Sequence, residues 1–141
     1  MKRQDYIEKK RLEKIVKKIS GDVDAAVVEG WADKKMLQKL GFKGKIFLSA
    51  ERTHDDLCED ITRSTEKVVV LTDFDQHGKE EAREISRRLQ KDIDVVRSAR
   101  KEFGAQLTSK DRRAVEDVRP LFKDREEKFV DAAMDDLFFD P

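Results

Sequence analysis

The chain contains no asparagine, one cysteine, two prolines, two histidines and one tyrosine among 141 residues. Each shortage closes a route. Cys58 has no second cysteine to pair with, which excludes an intrachain disulfide, and one cysteine with two histidines cannot build a His/Cys zinc cluster. No apolar stretch approaches the ~20 residues that cross a bilayer. The charged N-terminus also lacks the apolar centre of a secretory signal, so a cytoplasmic protein with no membrane partner is expected. Net charge is missing too, because 31 Lys and Arg balance 31 Asp and Glu. A nucleic acid would therefore have to engage a local basic patch rather than a general field.

What the chain has in excess is charge of both signs: 44% of residues, against roughly 25% in ordinary soluble domains. The signs are interspersed, which describes solvated helix faces. The apolar share of 38% still supports a core. Together with the missing asparagine, the composition resembles that of proteins from hot environments. The length suits one domain, 1–141.

Hydrophobic periodicity divides the chain into elements. Leu12, Ile15, Val16 and Ile19 follow the i, i+3, i+4, i+7 spacing of one helical stripe, predicting an N-terminal helix over about 2–20 that Gly21 stops. Four short apolar runs follow, at 25–28, 46–48, 68–71 and 93–96, brief and rich in β-branched residues as buried strands are. Helical spacing lies between them in Met36, Leu37 and Leu40, in Leu57, Cys58 and Ile61, and in Ala82, Ile85 and Leu89. Gly41 and Gly44 mark the turn out of the first of these helices, and Asp55 and Asp56 suit the first turn of the second. Alternating strands and helices predict an α/β fold: a central parallel sheet of about four strands, flanked by helices, over about 24–97. The remainder, 98–141, is expected to be a helical extension. Its last stripe, Phe129, Val130, Ala133, Met134 and Leu137, would pack on the sheet or meet a protein partner.

In open parallel sheets ligands bind beyond the carboxyl ends of the strands. The third run ends in Asp73-Phe74-Asp75-Gln76-His77-Gly78, and on extended backbone Asp73 and Asp75 point to one side. The first run ends in Glu29-Gly30-Trp31-Ala32-Asp33. If the two strands are neighbours, Glu29, Asp73 and Asp75 form one acidic cluster. Carboxylates held that close repel one another unless a cation lies between them, and Mg²⁺, a hard ion that keeps a phosphate among its ligands, suits such a set, with Mn²⁺ as a substitute. Gly30 and Gly78 would let backbone approach a phosphate, and the helix starting near Gly78 would present free N–H groups to it. Each element also has a structural reading, as helix cap or turn residue.

The combination resembles the Toprim domain of topoisomerases, bacterial-type primases and certain nucleases. Val28-Glu29-Gly30-Trp31-Ala32-Asp33 is similar to that family's first motif, and Thr72-Asp73-Phe74-Asp75-Gln76-His77-Gly78 is similar to its Asp-x-Asp-x-x-Gly motif. Phe74 departs from the smaller residue common between the two aspartates. The resemblance implies a Toprim-like, Rossmann-like sheet, Glu29 as general acid or base, Asp73 and Asp75 as Mg²⁺ ligands, and Gly78 at the start of a phosphate-facing helix. Asp33 matches an acidic position of primase-like members and of the ribonuclease that matures 5S ribosomal RNA; a metal role and simple first-turn charge both remain open for it. The whole chain looks most similar to small stand-alone archaeal Toprim proteins related to that ribonuclease. Tyr6 lies outside any topoisomerase motif, and the length leaves no room for a primase's template-binding and zinc modules. The resemblance therefore implies an RNA-directed, Mg²⁺-dependent endonuclease with structured RNA as partner. The alternative is a non-catalytic nucleic-acid or ribonucleoprotein binding module, or an accessory subunit of a primase- or nuclease-containing complex that binds its partner through the terminal helices.

Several residues carry weaker signals. His77 is read as a solvent-facing turn residue or a phosphate donor, and Trp31 as a base-stacking or helix-packing side chain. His54 and Cys58 have a metal-compatible spacing without further ligands nearby. Arg97, Arg100 and Lys101, with Lys110, Arg112 and Arg113 beyond them, form a basic cluster after the fourth strand suited to a nucleic-acid backbone. Glu102, Asp111, Glu116 and Asp117 interrupt it, and Glu116 and Asp117 are further acids for the metal site.

Overall fold

The structure, a computed structural model, describes residues 2–122. The C-terminal stripe from Phe129 to Leu137 lies outside the described residues. Helix α1 (Arg3–Asp22) buries Leu12, Val16 and Ile19 along the stripe its spacing demands. Strand β1 (Ala25–Val28) follows with all four residues buried, the mark of a strand covered on both faces. The chain continues through α2 (Trp31–Lys39), β2 (Lys45–Leu48), α3 (His54–Ser64), β3 (Lys67–Val70), α4 (Gln76–Leu89), β4 (Asp94–Val95) and α5 (Arg97–Thr108). A short 3₁₀ turn, Val115–Val118, comes last.

The expected α/β architecture is present: one four-stranded sheet, all parallel, in the order β2-β1-β3-β4. The two central strands hold register from Ala25 opposite Val68 to Val27 opposite Val70. Asp24 braces their starts, its carboxylate accepting from the Glu66 and Lys67 amides at 3.1 and 3.0 Å. The fourth strand is shorter than the run at 93–96. Only Asp94 and Val95 pair fully with β3, because α5 begins at Arg97, directly after the edge strand.

Alternation along the strands sends side chains to two cores. Ala26, Val28, Val69 and Leu71 meet α1, α2 and α5 on one face, and Ala25, Val27, Val68 and Val70 meet α3 and α4 on the other. The chain thus leaves β1 toward one edge and leaves β3 toward the other, with its helices changing face. The crevice between the carboxyl ends of β1 and β3 is therefore the topological switch point, where open α/β sheets bind ligands.

Two features fix the surroundings. Gly41 turns the chain out of α2 at φ 111°, a left-handed conformation that favours glycine. Arg112 grips the buried Glu8 of α1 through two hydrogen bonds of 2.6 and 3.2 Å and also donates to the Asp117 carbonyl at 2.6 Å. Arg112 thus pins the segment after α5 to α1, and its guanidinium is not available to a nucleic-acid backbone. Among the described residues, no helix is long and apolar enough to cross a membrane.

Candidate functional site

Because Val27 pairs with Val70 and Val28 with Leu48, the next residues in register are Glu29 beside Thr72 and Ser49. The strand alternation that turns Val27 toward α3 and α4 turns Glu29 the same way. Glu29 accepts the Asp73 backbone N–H at 3.3 Å, so the two strand exits touch. The expected meeting of Glu29 with the Asp73 loop is present.

Burial and crowding set the charge of this pair. Asp73 is pushed up to about 7 by burial first and then by the Glu29 carboxylate, with Asp33 and Asp75 adding to the effect. Glu29 is raised from its ordinary value by burial and by Glu81, against the Asp73 hydrogen bonds. Burial and the crowding of like charges thus favour the protonated form of Asp73 up to about neutral pH. Among the described residues, no Lys or Arg forms an ion pair with Glu29, Asp73 or Asp75.

Asp75 is placed differently from the Asp-x-Asp expectation. Its carboxylate caps α4 by accepting the Gly78 N–H at 2.7 Å, and its side chain is exposed. The trio whose donor atoms all come within 4.8 Å of one another is Glu29, His77 and Glu81. The reason is local: Asp75 is the N-cap residue of α4, and His77 and Glu81, spaced i, i+4 on the helix it caps, face the β1 exit together. His77, one of the two readings of which was a plain turn residue, therefore stands beside the acids. The sequence reading missed Glu81 altogether. The signal that could have found it was its spacing from His77 on the strongly amphipathic α4.

Glu81 is itself held in place. Ser49, at the exit of β2, donates to Glu81 at 2.8 Å, and His54, at the start of α3, lies 3.6 Å from Glu81 and 3.3 Å from Glu84. His54 and Cys58 do not act as a pair, since Cys58 is buried in the apolar core.

The two glycines differ. Gly78 is buried, and a Cβ there would lie 2.0 Å from the Asp73 carbonyl oxygen, so the fold itself requires glycine. Its N–H serves Asp75, and its carbonyl accepts from the Thr72 hydroxyl at 2.9 Å. A Cβ on Gly30 would meet nothing nearer than 3.9 Å, and no internal packing explains its lack of a side chain. Asp33, 5% exposed, accepts the Gly30 N–H at 3.1 Å and the Glu116 N–H at 2.9 Å, tying the start of α2 to the segment after α5. Asp117 accepts the Arg113 and Ala114 amides, both at 2.9 Å, as a turn residue. Trp31, 60% exposed, stands beside Gly30 with Lys34 5.2 Å from its ring, so helix packing does not hold it.

No family model matches the chain. The UPF0292 proteins of Thermococcus onnurineus and Pyrococcus horikoshii are each 30% identical to it, across 80% and 83% of this chain and 84% and 89% of theirs. The chain belongs to the UPF0292 family. A UPF0292 protein of Methanocaldococcus jannaschii is 36% identical over 56% of this chain and 62% of its own length. A solved structure from Aquifex aeolicus shares the fold, with a TM-score of 0.61 at 24% identity over 75% of this chain and 94% of that one.

In this UPF0292 chain the basic residues after β4 divide into two kinds. Arg100 is partly buried, donating to the carbonyls of Val70, Thr72 and Asp73 at 3.1, 2.8 and 3.0 Å, with its guanidinium 4.2 Å above the Phe74 ring. Burial lowers its pKa to about 10 while Asp73 and Glu29 pull it back up, so it stays charged and latches the loop that carries Asp73. Among the described residues Arg97 donates only to the neutral Gln90 side chain, and Lys101 is exposed.

Proposed function

We propose that this protein carries out metal-dependent phosphodiester chemistry at the β1/β3 exit, most directly as an endonuclease acting on RNA in the cytoplasm. The observation that carries the reading is the Glu29/Asp73 pair: two crowded carboxyls in ion-pair contact with no Lys or Arg among the described residues, at the switch-point crevice, with Asp73 pushed up to about 7. Such a pair costs stability unless something positive joins it. The Toprim-like motifs around Glu29 and Asp73 support the same chemistry, and the free buried thiol of Cys58 suits a reducing compartment.

The donors fit a hard divalent cation. Glu29 and Asp73 offer carboxylate oxygens, Asp75 has a second oxygen beyond the one capping α4, and Glu81 and His77 lie within reach of Glu29. An imidazole in the set admits Mn²⁺ more readily than Mg²⁺. When bound there, the ion supplies Lewis acidity at a phosphate oxygen. Glu29, raised by burial and Glu81, is suited to hold and release a proton at the attacking or leaving oxygen. Arg100 keeps the Asp73 loop in place, and Gly30 leaves the backbone open for a phosphate to approach.

The test is to incubate the protein with structured RNA, single-stranded RNA and DNA, with Mg²⁺ or Mn²⁺, beside Glu29→Gln and Asp73→Asn. Metal-dependent cleavage lost in both variants is the expected result. Cleavage that survives both would reject the assigned site.

A further inference from the structure

A second cavity lies on the other side of the Asp73 loop. It has a volume of about 300 Å³ and is lined by Phe74, Lys79, Arg97, Arg100, Lys101, Gly104 and Thr108. Four of these seven residues are cationic and none is acidic. In a chain whose charges balance at 31 each, so local a separation of sign is a feature of the fold. By contrast, the hollow at the amino ends of β3 and β4 is lined by Glu66, Asp92 and Asp94 together with Lys91.

The cations are available. Lys79, on α4, and Lys101, on α5, are exposed and form no ion pair among the described residues, and Arg97 has only a neutral partner. Arg100 gives its hydrogen bonds to carbonyls, so its charge at the back of the cavity meets no carboxylate in the lining. The pocket adjoins the acidic pair, because the same guanidinium that lines it bonds the Asp73 carbonyl at 3.0 Å.

The aromatic floor limits what can enter. One face of Phe74 is covered by the Arg100 guanidinium, and its ring edge presses so close to Gly104 that a Cβ there would lie 2.5 Å away. Phe74 also packs on Phe103, with ring centroids 6.0 Å apart. A base cannot stack on it, so the pocket offers charge and no base-reading surface.

We propose that the pocket between α4 and α5 is a phosphate subsite for a single nucleic-acid strand, holding a backbone phosphate beside the one at the Glu29/Asp73 site, without metal and without sequence preference. Its link to strand cleavage rests on the proposed phosphodiester chemistry; binding at the pocket does not. Lys79 and Lys101 supply the contacts from solvent, and Arg97 and Arg100 supply the field behind them.

The test separates the two. Binding of a short fluorescein-labelled single-stranded RNA is followed by anisotropy in EDTA over a range of salt, for the wild type and the charge-reversed Lys79→Glu/Lys101→Glu variant. Calorimetry with inorganic pyrophosphate tests the free anion. The double variant is expected to bind about tenfold or more weakly and to lose about 0.7 of a unit of the log–log salt slope, as the loss of one neutralised phosphate on a single strand requires. RNAs of different sequence should bind alike. Unchanged RNA affinity in the double variant would overturn the pocket, and pyrophosphate binding without RNA binding would overturn the strand assignment. Metal-dependent cleavage absent from a wild type that still shows the Lys79/Lys101 dependence would sink the phosphodiester reading and leave the subsite standing. Matching thermal melts of the double variant and wild type exclude misfolding as the cause.

Discussion

The exits of β1 and β3 carry the same kinds of residue, a strand-end carboxylate, a glycine and a further aspartate, but the fold uses them differently. After β1, the space around Gly30 is open, whereas after β3 the glycine is pressed against backbone 2.0 Å from where its Cβ would be. Both further aspartates serve the fold: Asp33 accepts two backbone N–H groups, and Asp75 caps α4. What remains uncommitted is Gly30 on one side, Asp73 on the other and Glu29 between them. A motif read as a row of functional residues thus separates into those the architecture needs and those it leaves for a ligand.

Alanine at each glycine probes this difference most strongly. Gly78→Ala would drive a methyl into the Asp73 carbonyl, forcing α4 away from its own cap. A cost of about 3 kcal/mol or more is expected, seen as a fall of roughly 10 °C or more in a thermal melt. Gly30→Ala sits at φ −136°, with nothing nearer than 3.9 Å to its Cβ, and should melt within about 0.5 kcal/mol of wild type. Its effect should fall on RNA cleavage instead. Wild-type cleavage in Gly30→Ala would show that no phosphate approaches there.

The sheet was legible because apolar runs of four residues alternated with helical stripes, and burial on both faces left no other arrangement for them. Strand β1 matches its run residue for residue, while β4 shrank because α5 begins at Arg97, which no periodicity announces. The contact of Glu29 with the Asp73 loop was legible from strand exits alone. The role of Asp75 was not, since an aspartate before a helix caps it and an aspartate near another carboxylate binds metal, and sequence cannot weigh the two. The partial burial of Arg100 was hidden for a related reason. A cation in a charged cluster suggests a surface, but this one is drawn inward by three carbonyls that only the folded loop presents.

The acidic pair gives the next largest effect. Asp73 binds its proton with a pKa of about 7 in the folded chain against an ordinary 3.8. The folded state therefore holds more protons than the unfolded one between these values. Its stability contribution is greatest below about pH 4 and is lost as pH rises toward 7. Asp73→Asn removes the penalty. Allowing for solvent screening at a partly exposed site, the variant should be more stable than wild type by about 1–2 kcal/mol near pH 8 and equal to it near pH 4. Denaturant melts in EDTA across this range measure it, and parallel curves for the two proteins would mean that Glu29 and Asp73 do not share a proton. Mn²⁺ should flatten the wild-type curve in the same direction.

The smallest effect separates the two roles open to Asp75. Alanine removes the acceptor of the Gly78 N–H and should cost about 1 kcal/mol, whereas asparagine caps as well as aspartate and should leave the melt within a few tenths. Asparagine nevertheless removes the charge. If the second oxygen of Asp75 reaches a cation, Asp75→Asn will weaken Mn²⁺ binding by about tenfold or more while keeping wild-type stability. If Mn²⁺ affinity is unchanged, Asp75 is a cap alone, and the cation belongs to Glu29, His77 and Glu81. Glu81→Gln would then carry the loss of affinity that Asp75→Asn does not.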